Sequence, residues 1–584
     1  MSVNVPAAIA DNGSIVKGRA FGWGSNSIKT NPGSFFGYLH TLPATYPDYL
    51  SLPEPQRKFL PFRPVLLLSL VLLCLVPRAV TGLRIGSICP DGVFYTKLAQ
   101  ALNEGRYEQA FEEMNLNVYP MILMGINRLG LSWETGGMMW GVLISSLVVL
   151  PLYGFARRQF DDTIALVSCL LYAVHPIFIL WSPELIRDQT FWFLFALSLY
   201  LSWRAVIEVR IGLSLAAGMV FTLAVLTRFE GLLLLIPLTL WAVWRYKALN
   251  CGREKAKLAA GYVLLVAAFP ILLLLLNITW LRNYSHWVYA RLAPLTLIQY
   301  WWDGTFFSTA ADAAGTIQQS QTGVSFARLI AIYIPALVKG FSPLFALLML
   351  GGLWGWRRVW ARRDQQPLFY TSLAIMMAAW IHAWCARESC ERYFLPIVLM
   401  ASLYAALGLL GLSRRILEFV ERFNKKWILQ YIAVFSPAAV VAFAGLGVAF
   451  CSSFERRVAE VELAAWVRQE FGPSAMLFGS EGVTPVVAHY AQVQYATLTK
   501  NMDDTTVLKS IQDLKPEVIL LLATRRKDLM ETRQLIDRID KLGYMELGRD
   551  VLPHGTDEVL VVLKRVEIQS QAAVETGVKL ILQK

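Results

Sequence analysis

About eleven stretches of roughly 20 mainly apolar residues run from Arg63 to Phe450, and each is long enough to cross a bilayer as a helix. They lie near 63–82, 138–157, 163–181, 189–206, 211–227, 230–246, 258–279, 338–356, 366–384, 393–412 and 427–450. The third and fourth form a tight pair, and the fifth is short. The apolar run from Phe326 to Trp356 exceeds one crossing, so 326–338 reads as an outer-surface or re-entrant helix. Of 584 residues, 56% are hydrophobic and 16% charged, less charge than a soluble globular chain carries. The expected fold is therefore an α-helical polytopic membrane protein.

The connectors alternate in charge. One set is short and rich in Lys and Arg: Arg57, Lys58 and Arg63; Arg157 and Arg158; Arg204 and Arg210; then Arg245 to Lys257, Arg357 to Arg363 and Arg414 to Lys426. Such an excess marks the cytoplasmic face. The other set carries carboxylates, isolated arginines and both long loops, 83–137 and 280–337. The net charge of +12 thus reflects orientation and anionic lipid, not nucleic acid. The first apolar run comes after about 60 polar residues, too late for a cleavable signal peptide, so it reads as an anchor. Residues 1–60 read as a flexible cytoplasmic tail and 61–451 as the membrane core. With eleven crossings the C-terminus lies outside, and the connectors 83–137, 182–188, the Arg228 turn, 280–337 and 385–392 face out with it. The aromatic loop from Trp280 to Trp302 reads as an interfacial belt or as a platform for a sugar or lipid.

From about residue 452 to 566 the composition is that of a small soluble α/β domain, expected outside the cell membrane, with a tail at 567–584. Ala475 to Phe478, Gln494 to Leu498, Val518 to Leu522 and Val559 to Leu563 read as strands, with helical patterns at 457–471, 504–514 and 525–542. No glycine-rich phosphate loop precedes a helix there. The seven cysteines lack metal spacing. Cys89, Cys385, Cys390 and Cys451 fall outside, as free thiols or with a bridge from Cys385 to Cys390 or from either to Cys89.

Chemistry-bearing residues gather in the outer connectors. Asp91 stands in Ile88-Cys89-Pro90-Asp91-Gly92, where Pro90 and Gly92 favour a turn. A carboxylate at a membrane-edge cleft is partly desolvated, which suits a base; the alternative is a solvated acid or helix cap. Glu184, Arg187 and Asp188 crowd the short Ser182-to-Asp188 connector. Arg187 is placed to neutralise one acid, and the alternative is a capping salt bridge. Arg228, Arg282, Lys339, Arg387 and Arg392 are cations on the face that usually lacks them. They suit a phosphate headgroup, or pairing with Glu230, Glu388 and Glu391. His175 and His382 are isolated. No His pair has ligand spacing, so no metal ligand is named, although a divalent cation held by carboxylates stays open.

Four segments together resemble the GT-C glycosyltransferases that use polyprenyl-phosphate sugars, specifically the protein mannosyltransferase and aminoarabinose transferase-like group, glycosyltransferase families 39 and 83. They are Asp91 to Tyr95 with Leu102-Asn103-Glu104-Gly105 and Val118-Tyr119-Pro120; Ala173-Val174-His175-Pro176 running to Glu184 and Asp188; Leu226 to Leu232; and Glu391 to Pro396. The resemblance implies that Asp91 activates the acceptor, with Asp188, or Glu184 beside it, as the second acid. It gives Arg392 and Arg387 to the lipid phosphate, with Tyr95, Arg228, Arg282 and Lys339 near the donor. The chain departs from the eukaryotic protein mannosyltransferase pattern, where an acid pair is expected, since Gly92 comes directly after Asp91. It also lacks a lysine at 115–120, where aminoarabinose transferases have one.

The activity that this resemblance implies is transfer of a hexosyl or pentosyl group from a polyprenyl-phosphate donor to a hydroxyl on a glycan, lipid or protein. The transfer is inverting, with Asp91 as general base. A bacterial inner membrane with an extracytoplasmic site is the expected setting. The rival readings are a transporter and a non-catalytic cell-envelope assembly protein. Transporters place ionisable groups near the bilayer midplane, whereas these span centres are almost free of charge.

Overall fold

The computed structural model describes residues 64–113, 117–279, 326–355, 364–386, 389–423, 427–451, 455–498, 504–523, 526–551 and 559–565. The N-terminal tail, most of the 280–337 loop with Arg282, the position of Arg387, and the C-terminal tail lie outside the described residues. The described residues are mostly helical up to residue 471. In order come α1 (Pro64–Arg84), α2 (Pro90–Asn103), α3 (Tyr107–Glu113), α4 (Val118–Arg128), α5 (Trp133–Leu147) and α6 (Val149–Gln159). Next are α7 (Asp162–Val174), α8 (Pro176–Trp181), α9 (Asp188–Glu208), α10 (Ile211–Thr227), α11 (Leu235–Ala248) and α12 (Gly252–Thr279). After these come α13 (Phe326–Phe341), α14 (Pro343–Gly355), α15 (Gln366–Ala386), α16 (Leu395–Phe423), α17 (Trp427–Cys451) and α18 (Glu455–Phe471).

Among the described residues, six helical stretches are long and apolar enough to cross a membrane, and a seventh arises if one bent pair is a single span. The protein is thus an integral membrane protein. Its helices show why. On α1, Val65, Leu68, Leu72, Val76 and Leu83 are exposed, while Cys74, Arg78 and Thr81 face inward. An outward apolar stripe is stable only against hydrocarbon. Where helices touch, small residues let the backbones approach. A Cβ at Gly352 of α14 would stand 1.9 Å from the Tyr404 carbonyl oxygen of α16, and Gly408 meets the Leu348 carbonyl in the same way.

Several expected spans are broken, for local reasons. The run 163–181 divides at His175–Pro176, because Pro176 has no N–H to continue α7 and starts α8 instead. α13 and α14 meet at Ser342, whose φ of 57° is left-handed, and the pair bends by 79°. This bend is the break foreseen in the long apolar run ending at Trp356. The carbonyls freed at the α7–α8 break have an unexpected partner. Arg78, inside the first span, is fully buried, and its guanidinium donates to the carbonyls of Ala173 at 3.2 Å and Tyr172 at 3.3 Å, and to Ser182 Oγ at 3.0 Å. It also lies 4.9 Å from the Tyr172 ring centroid. So one span does bury a charge, but it serves the backbone.

Beyond α18 lie β1 (Met476–Ser480), α19 (Thr484–Ala491), β2 (Gln494–Leu498), α20 (Asp504–Leu514), β3 (Val518–Ala523), α21 (Arg526–Asp540), β4 (Tyr544–Val551) and β5 (Val559–Arg565). They form one sheet in the order β2-β1-β3-β5-β4, parallel through β2, β1 and β3 and antiparallel through β5 and β4. Side chains alternate along it. Leu477, Val518 and Leu520 pack under α18 and α19, while Phe478, Ile519 and Leu521 pack under α20 and α21. Both faces are covered, as strands of continuous apolar residues require. Four of these strands sit where the apolar runs suggested. α19 and β4 had no such signal.

Candidate active site

Asp91 enters through a short break after the first span. Cys89 is the extended N-cap of α2, Pro90 takes the first helical position, and Asp91 lies in the first turn. A carboxylate there meets the positive end of the helix dipole. Gly92 is needed for a packing reason: a Cβ on it would come 2.9 Å from Leu185 Cβ. The segment bearing Asp91 therefore seats directly on the segment leading to Asp188. The Asp91 carboxylate pairs with Arg392 at 2.6 Å, and its side chain remains 43% exposed against 17% for Arg392. It is ion-paired and half open to solvent, not desolvated as expected at a membrane edge.

Asp188 begins α9, and Arg228 is the extended residue that ends α10. The two form an ion pair with side chains only 4% and 6% exposed. A six-residue 3-10 helix, Phe229–Leu234, comes after Arg228 and turns Glu230 back onto it, with contacts of 2.6 Å and 3.3 Å to the same guanidinium. A second 3-10 helix, Glu391–Phe394, precedes α16 and presents Arg392. Arg392 lies 5.3 Å from the Trp181 ring centroid and 5.7 Å from that of Tyr393, and Arg228 stands 5.3 Å from the same Tyr393 ring. Tyr393 thus sits between two guanidinium groups, a cation–π arrangement that holds both.

Part of this group lines one cleft, with Asp91 reaching it through its pair with Arg392. Asp188, Arg228, Glu230 and Arg392 supply its polar wall, and Phe191 and Trp192 part of its apolar wall. Two donors facing this region are unspent among the described residues: Arg392 Nε and Trp192 Nε1 are buried and make no hydrogen bond. A buried N–H without a partner costs about 1–3 kcal/mol. A ligand rich in acceptor oxygens would recover that cost.

The structure brings Asp91, Asp188, Arg228 and Arg392 together. Lys339 approaches from α13 and pairs with Glu391 at 3.0 Å, and Trp181 Nε1 donates to the same carboxylate at 3.3 Å. Tyr95 is near but is not on the cleft wall. It packs edge-on against Tyr119 at 5.1 Å, and burial pushes its hydroxyl up to about 12, the nearby Arg187 charge opposing this. Glu184 goes elsewhere. Both its oxygens are held by Arg457, at 2.5 Å and 3.0 Å. Arg187 therefore neutralises neither neighbouring acid, because Asp188 belongs to Arg228 and Glu184 to Arg457. Arg187 has no ion-pair partner among the described residues, which makes it a candidate the sequence reading did not single out as a ligand. Cys89, Cys390 and Cys451 are free thiols, so neither suggested bridge forms. Burial pushes the Cys89 thiol well above its usual range, with the charges of Glu184 and Asp91 adding to this. No three His, Cys, Asp or Glu side chains cluster as metal ligands among the described residues.

Residues 118–274 match the family described as dolichyl-phosphate-mannose-protein mannosyltransferase. The matched stretch, less than a third of the chain, carries Glu184, Asp188, Arg228 and Glu230 and bears out the resemblance to polyprenyl-phosphate-dependent glycosyltransferases of the GT-C type. No curated protein sequence matches. Among solved structures, ArnT from Cupriavidus metallidurans bound to undecaprenyl phosphate is similar at 14% identity and a TM-score of 0.49, covering 85% of this chain and 97% of that one. The apo oligosaccharyltransferase of Archaeoglobus fulgidus is similar at 13% identity and a TM-score of 0.47, covering 78% of this chain and 69% of that one. Likeness at that level is too loose to assign any residue a role.

Proposed function

We propose that this protein is a membrane glycosyltransferase that moves a sugar from a polyprenyl-phosphate donor to a hydroxyl on a glycan, lipid or protein, at the extracytoplasmic edge of the membrane. The observation that carries the reading is the meeting of four separate segments: Asp188, Arg228 and Arg392 on the wall of a cleft with unspent donors, and Asp91 paired to Arg392. The family match supports the same class of reaction. If the bent α13–α14 pair, α7 with α8, α10, α15 and α17 also cross, the total is eleven, and on that count the α/β unit and the cleft lie together on the side opposite the arginine-rich connectors.

The roles are assigned from exposure and charge. Arg392 uses one nitrogen on Asp91 and keeps Nε free, so an incoming lipid phosphate competes with Asp91 for the guanidinium. Arg187, which forms no ion pair among the described residues, adds positive charge without having to give up a partner. Once displaced, Asp91 is free to accept a proton. It takes the proton of the acceptor hydroxyl as that oxygen attacks the anomeric carbon. The bond from that carbon to the phosphate oxygen breaks, and the polyprenyl phosphate leaves with the electron pair, inverting the centre. Prearranged cations stabilise the leaving charge, the term that contributes most in such sites. Asp188 is buried and fully engaged by Arg228. It orients the guanidinium and does not move protons.

The test is transfer of radiolabelled sugar from polyprenyl-phosphate donors in proteoliposomes. Label must pass to a hydroxyl acceptor in a lipid extract of the source cells, with the product anomer opposite to the donor. Absence of transfer from every such donor, with correctly inserted protein, would sink the reading.

A further inference from the structure

We infer that Arg457, on the first helix of the C-terminal unit, is a positioning residue for Asp91, an inference that rests on the function proposed above. One guanidinium ties two segments together. Nη1 donates to the Ser87 carbonyl at 2.9 Å and to Glu184 Oε2 at 3.0 Å, and Nη2 donates to Glu184 Oε1 at 2.5 Å. Ser87 stands four residues before Asp91, and Glu184 four before Asp188. Arg457 thus fixes the spacing of the two stretches that deliver the acids. Burial opposes its charge, but the Glu184 carboxylate outweighs this and holds it protonated above the usual range.

The clamp has further contacts, most of them from the α/β unit. Ser87 Oγ donates to Glu460 Oε2 at 3.4 Å. The Ile88 N–H donates to the Tyr490 hydroxyl at 3.1 Å, and that hydroxyl donates to Glu134 at 3.2 Å. Val486 of α19 is buried with Ile88, Val93 and Leu185. Gly92 leaves no slack between α2 and Leu185. The unit beyond residue 455 is therefore part of what holds the site. Among the described residues it contributes none to the cleft wall, and it acts through Asp91. Glu184, attractive in the sequence as a second acid, is the anchor of this clamp.

The test combines a thiol readout with kinetics in proteoliposomes. Cys89 is the buried N-cap of the Asp91 helix, whereas Cys74 and Cys169 lie buried in the helical core and Cys251 and Cys451 are exposed. In Arg457→Gln, N-ethylmaleimide mapped by mass spectrometry should modify Cys89 while Cys74 and Cys169 stay protected. Turnover should fall by about 100-fold, the scale of an ångström-sized misplacement, with the donor KM unchanged. The double variant Glu184→Gln with Arg457→Gln removes both charges of the pair, so Glu184 is not left as a buried carboxylate without its partner; it should show the same split, deciding the matter if the single variant unfolds. Protected Cys89 with wild-type turnover in a folded variant overturns the inference. If the wild type itself transfers no sugar, the function proposed above fails, while the Cys89 readout still judges the clamp.

Discussion

Asp91→Asn is the most informative substitution, because the structure predicts slower turnover together with tighter use of the donor. The amide keeps the shape of the carboxylate, so the start of α2 and its seat on Leu185 are preserved. It cannot accept the acceptor's proton as a base, and a positioned general base contributes about 10²- to 10⁴-fold. Turnover should fall by that much. Meanwhile Arg392 loses the partner it holds at 2.6 Å. Asp91 is 43% exposed, so water screens the pair, and the charge it releases contributes on the order of 1 kcal/mol. That energy becomes available to the donor phosphate, and the donor KM should drop by about fivefold, the equivalent of about 1 kcal/mol. The assay is initial-rate transfer in proteoliposomes at varied donor with saturating acceptor. Turnover within about tenfold of wild type would refute the base. A raised donor KM would refute the competition between Asp91 and phosphate for Arg392.

Other consequences are separable. Arg228→Ala leaves Asp188 buried without its ion-pair partner, so the protein should lose about 3–5 kcal/mol of stability, read as a large fall in melting temperature in detergent. Arg187→Ala breaks no ion pair among the described residues; the donor KM should rise with the melting temperature unchanged, and an unchanged KM removes Arg187 from the phosphate site. Arg78→Leu removes the guanidinium from the Ala173 carbonyl, and from the Tyr172 carbonyl, which keeps the His175 N–H at 3.4 Å, so stability should fall by about 1–3 kcal/mol for the Ala173 carbonyl left dry. A melt indistinguishable from wild type would show that the break between α7 and α8 supports itself.

The helical plan was readable because hydrocarbon length dictates apolar length, and strands of the sheet were readable because Val, Ile and Leu ran together between turn residues. The breaks were harder. His175–Pro176 lay inside an apolar run that looked continuous, and only the three-dimensional partner, Arg78, shows how the interruption is satisfied. Asp91, Asp188, Arg228 and Arg392 were legible as charges in connectors that should lack them. Their pairing was not, because it depends on which helix starts converge. Arg187 stands between Glu184 and Asp188, so adjacency suggested it as their partner. Helix starts instead send Asp188 to Arg228, 40 residues away. The partner of Glu184 lies 273 residues away in a unit of different composition, and no local pattern announces it. β4 was missed because Glu546, Arg549 and Asp550 interrupt its apolar pattern.

The position of the lipid phosphate decides between these roles and any other set. A cryo-electron microscopy structure of the protein in nanodiscs with polyprenyl phosphate measures it directly. The phosphate should lie against Arg392 and Arg187, with Asp91 released from Arg392 and turned toward the solvent side of the cleft. A phosphate seated on the arginine-rich connectors, or bound with the Asp91–Arg392 pair intact, would contradict it.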